Sequence, residues 1–80
     1  MIELLYFARL REALGSGGET LETTPATVSD LLDELKGRGE PWSEVLAGKV
    51  LVAVNQEMAL PDTQLADGDE VGLFPPVTGG

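Results

Sequence analysis

The sequence predicts an α+β roll: a mixed sheet of four or five strands with one main helix packed on one face. Three observations predict it. Apolar runs of strand type open the chain, cross its middle and nearly close it, at residues 2–7, 50–54 and 70–74. One amphipathic stretch separates the first two, with Val28, Leu31, Leu32 and Leu35 at the spacing of a single helix face. At 80 residues and 42% apolar content, the chain supports one domain with a small core and not two.

Residues 2–7 form the first strand. Ile2, Leu4 and Tyr6 share one face and Glu3, Leu5 and Phe7 the other, which Glu3 marks as wet at its start. Arg9–Leu14 then forms a short helix with Leu10, Ala13 and Leu14 on one side, and Gly15 suits the left-handed position that closes it. Ser16-Gly17-Gly18 is a turn, after which residues 19–23 alternate weakly, as an edge strand pairing back on the first would. Thr27 caps the main helix, Asp30 and Asp33 favour the positive end of its dipole, and Gly37 and Gly39 stop it. Residues 41–46 hold one more helical turn with Trp42 and Leu46 inward. A buried strand over 50–54 follows, then a turn at Asn55-Gln56 and a short return strand over 57–60. Asp67-Gly68 turns the chain into the last strand, Glu70–Phe74, with Val71 and Leu73 on one face and Gly72 and Phe74 on the other. Pro75-Pro76 ends it, because proline cannot donate to a ladder. The domain is expected to span 1–76, with 77–80 a flexible tail.

Composition removes whole classes of chemistry. There is no Cys and no His, so there is no disulfide, no thiolate, no imidazole base and no imidazole metal ligand. A net charge of −9 disfavours nucleic acid and anionic membrane and suits a partner with a basic docking surface. Glu3 stands where a signal peptide carries positive charge, and the opening apolar run is too short for a signal core or a membrane span; the expected location is cytoplasmic. Asp67, Asp69 and Glu70 offer too few ligands for a cation and read as turn chemistry. Gly15-Ser16-Gly17-Gly18 lacks the Lys-Ser/Thr of a phosphate loop.

The tail carries the sharpest signal. After Phe74 come Pro-Pro-Val-Thr-Gly-Gly. The prolines favour an extended segment, and Val77 to Gly80 would reach about 13 Å. With Gly at 10 of 80 positions, a closing glycine pair arises by chance about once in 60. Glycine passes through narrow channels and leaves its carbonyl open to attack. The carboxylate of Gly80 is anionic at neutral pH and can attack the α-phosphate of ATP. The acyl-adenylate so formed would accept sulfur, and a chain without thiols could then carry it as a C-terminal thiocarboxylate.

Three stretches carry a resemblance: Leu-Tyr-Phe-Ala-Arg-Leu-Arg-Glu-Ala-Leu-Gly, Val-Leu-Val-Ala-Val-Asn-Gln-Glu and Asp-Gly-Asp-Glu-Val-Gly-Leu-Phe-Pro-Pro-Val-Thr-Gly-Gly. Over its whole length the chain resembles the small, sulfur-carrying subunits of molybdopterin synthase. That resemblance implies the ubiquitin-like β-grasp fold. It implies that a ubiquitin-activating-type enzyme adenylates Gly80 at the expense of ATP, with no cofactor bound by the chain itself. A sulfur donor such as a cysteine desulfurase or rhodanese then forms the thiocarboxylate. Val77, Thr78, Gly79 and Gly80 thread into the large subunit, in a two-plus-two heterotetramer, where the sulfur passes to cyclic pyranopterin monophosphate. On this reading the catalytic side chains belong to the large subunit. The resemblance also implies that Phe7, Phe74, Leu5 and Met58 form an apolar docking patch near the tail root, and that Arg11 assists docking. Met58 departs from the bulkier aliphatic or aromatic residue usual there.

Other functions share the tail. A carrier for thiazole synthesis or tRNA thiolation would do so, but usually without the Phe-Pro-Pro-Val-Thr-Gly-Gly ending. A protein modifier would join its Gly80 to lysines, and a plain binding module would carry an inert tail.

Overall fold

The computed structural model describes residues 1–76. β1 (Ile2–Tyr6) alternates as its sequence demands: Ile2, Leu4 and Tyr6 are buried, Glu3 is exposed and Leu5 half-buried. It ends one residue earlier than predicted. The Phe7 amide still donates to the Leu73 carbonyl (3.1 Å), but the chain leaves the sheet at Ala8, whose φ of 52° and ψ of −128° turn it sharply. The Leu10 amide donates back to the Phe7 carbonyl (3.1 Å), closing a type II′ turn. α1 (Arg9–Leu14) has the predicted bounds, and Gly15 closes it at φ 71°. Leu10 is buried and Leu14 half-buried, whereas Ala13 is exposed, because six residues are too few to bury a broad stripe.

β2 (Gly18–Leu21) pairs antiparallel with β1, from Ile2 opposite Leu21 to Leu5 opposite Gly18. It lies ahead of the expected 19–23. The Tyr6 amide donates to the Gly17 carbonyl (3.0 Å), which pins the register early and leaves Glu22 and Thr23 beyond the ladder.

α2 (Val28–Lys36) starts at Thr27, whose Oγ1 accepts from the Asp30 amide at 3.2 Å. Its next orphan donors are satisfied from a segment that the sequence pattern left unread. Val28 N–H donates to the Thr63 carbonyl (3.0 Å) and Ser29 N–H to the Pro61 carbonyl (2.8 Å), beside a bridge between Thr27 and Gln64. The same segment brings Leu65 into the core. Val28, Leu31 and Leu35 are buried; Leu32 is only half-buried, at the edge of the stripe. Gly37 caps the helix, and Gly39 takes φ 88°. α3 (Trp42–Val45) is the expected extra turn, with Leu46 buried behind it and Trp42 half-buried.

β3 (Leu51–Val54) and β4 (Glu57–Met58) form a hairpin. Asn55 and Gln56 both take positive φ, 51° and 70°, as a two-residue loop between twisted strands requires. Both strands are shorter than expected. Leu51 already pairs with Phe74, the last residue of β5 (Glu70–Phe74), so Val50 has no ladder to join. Past β4, the Ala59 amide still donates to the Val52 carbonyl (2.9 Å), after which a turn closed by Thr63 N–H on the Leu60 carbonyl takes the chain away.

β5 runs parallel to β1 and antiparallel to β3, giving the order β2-β1-β5-β3-β4. Ile2, Leu4, Tyr6, Val52, Val71 and Leu73 pack from the sheet against Val28, Leu31 and Leu35 of α2. Leu10, Leu46 and Leu65 close the sides. Each such aliphatic chain contributes about 1.5–3 kcal/mol by leaving water. This is a β-grasp: a mixed sheet folded over one main helix. Among the described residues no helix is long and apolar enough to cross a membrane.

Candidate functional site

The candidate site is the sheet face turned away from α2. Pairing places its side chains in rows. Leu5 lies beside Gly72, Gly72 beside Ala53, and Ala53 beside Met58. The next row toward the end of β5 holds Phe7, Phe74 and Leu51. Toward the other end Glu3 pairs with Thr20 and Glu70, so this face is polar where the strands of β1 and β5 begin and apolar where they finish.

Phe7 and Phe74 stack with ring centroids 4.5 Å apart and planes 3° from parallel. Gly72 makes room for them. A β-carbon there would stand 3.1 Å from Phe7 Cε2 and 3.2 Å from Phe74 Cε1. Phe7 is 39% exposed, and Met58, at 67%, is more open still. Alongside runs a groove of about 320 Å³ lined by Ala8, Leu51, Met58, Phe74 and Pro75. Four of the five expected docking residues (Leu5, Phe7, Met58 and Phe74) therefore share one face at the tail root.

Arg11 stands apart from that face. It is exposed on α1, and its guanidinium lies over Gly17, where a β-carbon would be 3.3 Å from Nε. It lines a separate hollow with Glu12, Gly15, Ser16 and Gly17, joined to the apolar groove only through Ala8. Leu51, Ala53 and Ala8 belong to the site but were not singled out by the sequence. Alternation along β3 would have found the first two, since Val52 and Val54 point into the core side. Val77, Thr78, Gly79 and Gly80 lie outside the described residues.

The polar groups elsewhere are structural. Tyr6 Oη donates to Glu19 Oε2 (2.8 Å), and Arg38 grips the same carboxylate through Nη1 (2.9 Å) and Nη2 (2.7 Å). The Arg38 guanidinium also sits 4.7 Å from the centre of the Trp42 ring, and Trp42 packs on Tyr6 at 5.5 Å. The hydrogen bonds from Arg38 hold the Glu19 carboxyl below the usual carboxylate range, against its partial burial. Burial, then the bond to Glu19, push the Tyr6 hydroxyl up. In the acidic turn, Asp67 pairs with the Met1 ammonium, and Asp69 accepts from the Ala66 amide (2.8 Å) and Asn55 Nδ2 (3.0 Å). Those bonds hold the Asp69 carboxyl below its ordinary value. Among the described residues no group of acidic side chains could hold a metal ion. What this surface can do is bind another protein through apolar contact and present the chain that follows Pro76.

Comparison with known proteins bears on the family and the fold. The model of the ThiS family matches residues 4–80. The molybdopterin synthase sulfur carrier subunit of Escherichia coli is 42% identical over 81 aligned positions, covering all of both chains. Among solved structures, SAMP1 from Haloferax volcanii is 38% identical with a TM-score of 0.77, covering 99% of this chain and 98% of that one. The complex of subunits 1 and 2 of molybdopterin-converting factor from Helicobacter pylori contains a chain of the same fold, with a TM-score of 0.68 at 22% identity, covering 99% of this chain and 97% of that one.

Proposed function

This chain belongs to the ThiS family, and on that premise we propose that it is the sulfur carrier of molybdopterin synthesis. Its working group is the carboxylate of Gly80. An activating enzyme of the ubiquitin-activating type would join that carboxylate to AMP from ATP, releasing pyrophosphate. The persulfide of a desulfurase or rhodanese would then displace AMP to give an acyl disulfide, and a second thiol of the donor would cleave its S–S bond, releasing the thiocarboxylate and leaving a disulfide on the donor. The large subunit receives the tail and passes the sulfur to cyclic pyranopterin monophosphate, regenerating the carboxylate at Gly80. The setting is cytoplasmic.

One observation carries the reading. The only extended apolar surface among the described residues that includes a stacked aromatic pair lies where β5 hands the chain to Pro75-Pro76, ahead of Val-Thr-Gly-Gly. A partner seated on Phe7 and Phe74 lies beside Pro75-Pro76, the residues that lead into the tail. The E. coli relative's name and the H. pylori complex support this assignment and a large-subunit partner. The likeness to SAMP1, which a second structure describes as a small archaeal modifier protein, supports protein modification as the alternative.

The test is deletion of Gly80. Sulfur transfer to the precursor is expected to vanish while binding to the large subunit persists. Equal activity of the shortened protein would remove the mechanism.

A further inference from the structure

The five cationic side chains are unevenly placed. Arg38 is held by Glu19 at 2.7 Å, and Lys36 lies 3.9 Å from Asp33. Arg9, Arg11 and Lys49 make no ion pair among the described residues. All three line hollows, and the one lined by Arg9 and Lys49 includes Pro75 and Pro76, where the chain leaves the fold. Arg11 lines the hollow beyond Ala8. Arg9 and Lys49 line a second groove, of about 330 Å³, whose apolar walls are Leu10, Ala13, Val45 and the proline pair. Of 14 acidic residues only Glu12, in the first hollow, and Glu44, in the second, reach these places. In a chain of net charge −9, the groove beside Pro75-Pro76 carries two cations, Arg9 and Lys49, against one carboxylate, Glu44.

We propose that the groove between α1, the segment after α3 and Pro75-Pro76 is a second docking surface. Its occupant is an acidic rim: carboxylate side chains around the mouth of the protein that receives the tail, facing Arg9 and Lys49. This rests on the carrier reading, in which the tail enters a partner. A protein that encloses the chain beyond Pro76 must cover both sides of its root. One side is the apolar sheet face of Phe7 and Phe74; the other is this groove. Covering Arg9 and Lys49, which make no ion pair among the described residues and share their groove with one carboxylate, Glu44, costs free energy, and partner carboxylates offset that cost. The apolar walls exclude water and strengthen such pairs beyond those on an open surface. The overall negative charge suits a basic partner surface at long range; the rim acts only within a screening length of about 10 Å at 0.1 M salt. It therefore fixes orientation and register.

Three single charge reversals test this: Arg9→Glu, Lys49→Glu and, as reference, Lys36→Glu. Lys36 lines neither hollow, and its reversal changes net charge by the same amount. Each variant is titrated against the purified large subunit over a salt series, after thermal unfolding confirms that it is folded. Arg9→Glu and Lys49→Glu are expected to bind roughly tenfold more weakly than Lys36→Glu at low salt, with the gap closing as salt rises. If they bind as Lys36→Glu does, or more tightly, the rim is not acidic and the proposal is wrong. Phe74→Glu in the same titration separates the two readings. Unchanged binding by Phe74→Glu overturns the docking face itself. Weakened binding by Phe74→Glu, with Arg9→Glu and Lys49→Glu matching the reference, overturns only the acidic rim.

Discussion

Phe7, one residue past β1, and Phe74, the last residue of β5, lie face to face at 4.5 Å because Gly72 leaves the space beneath them free. The relationship joins sequence to function in one place. Parallel pairing of β1 and β5 sets the two phenylalanines side by side, and β5 continues directly into the tail.

Gly72→Ala should disturb the stack without unfolding the domain. Its β-carbon would meet both rings at 3.1–3.2 Å, so each must shift by a few tenths of an ångström. A cost of about 1 kcal/mol is expected, with severalfold weaker binding to the large subunit. Ring chemical shifts of Phe7 and Phe74 and a titration check this. Unchanged shifts would mean that the glycine has no part in holding the pair.

Phe74→Glu tests the face more severely. Phe74 is half-buried on the outer side of the sheet, so the substitution removes the aromatic pair, worth about 0.5–1.5 kcal/mol, and leaves the core facing α2 intact. Docking should be lost while cooperative unfolding remains. Loss of the folded state instead would make Phe74 a core residue and remove the docking face.

The Tyr6–Glu19–Arg38 cluster sets how stability varies with pH. The Glu19 carboxyl is held below its unfolded value, chiefly by Arg38, so the folded state binds fewer protons there than the unfolded state. That stability is present above a pH of about 4.3 and is lost as pH falls toward the folded value. The Tyr6 hydroxyl is raised, chiefly by burial, so its contribution is complete below a pH of about 10 and is lost above it. Glu19→Gln should flatten the acid limb of a denaturation profile and Tyr6→Phe the alkaline limb, the latter costing about 1 kcal/mol at neutral pH. Limbs that match the wild type would show that other groups set the profile.

Thr27→Ala removes the one side-chain cap on α2 and should destabilise the domain by about 1 kcal/mol, measured by denaturant unfolding. No change would mean that the carbonyls of Pro61 and Thr63 suffice for the helix start.

Much of this fold was legible wherever a periodic run met a local stop. α1 kept its predicted bounds because Gly15 takes the left-handed turn that ends it, and β5 kept its own because Pro75 follows. Boundaries shifted where pairing decided them: β2 slid toward Gly18 to match Leu5, and β3 waited for Leu51 to meet Phe74. The bonds from Pro61 and Thr63 to α2 and the grip of Arg38 on Glu19 escaped notice. They join residues 19 to 35 positions apart and leave no short-range pattern. That Phe7 and Phe74 share the outer face proposed for docking was legible only by alternation plus the expected neighbourhood of the first and last strands. The separation of Arg11 from that face, and the absence of ion pairs to Arg9 and Lys49 among the described residues, required the structure.

The central claim concerns Gly80, and intact mass tests it most directly. The protein would be incubated with ATP, a sulfide source and the adenylating enzyme from its own cells. The account predicts a gain equal to the exchange of one oxygen for sulfur, located on Gly80 by fragmentation. An unchanged mass, with an enzyme shown to be active on its own terms, would contradict the sulfur-carrier reading and leave a modifier or an inert tail in its place.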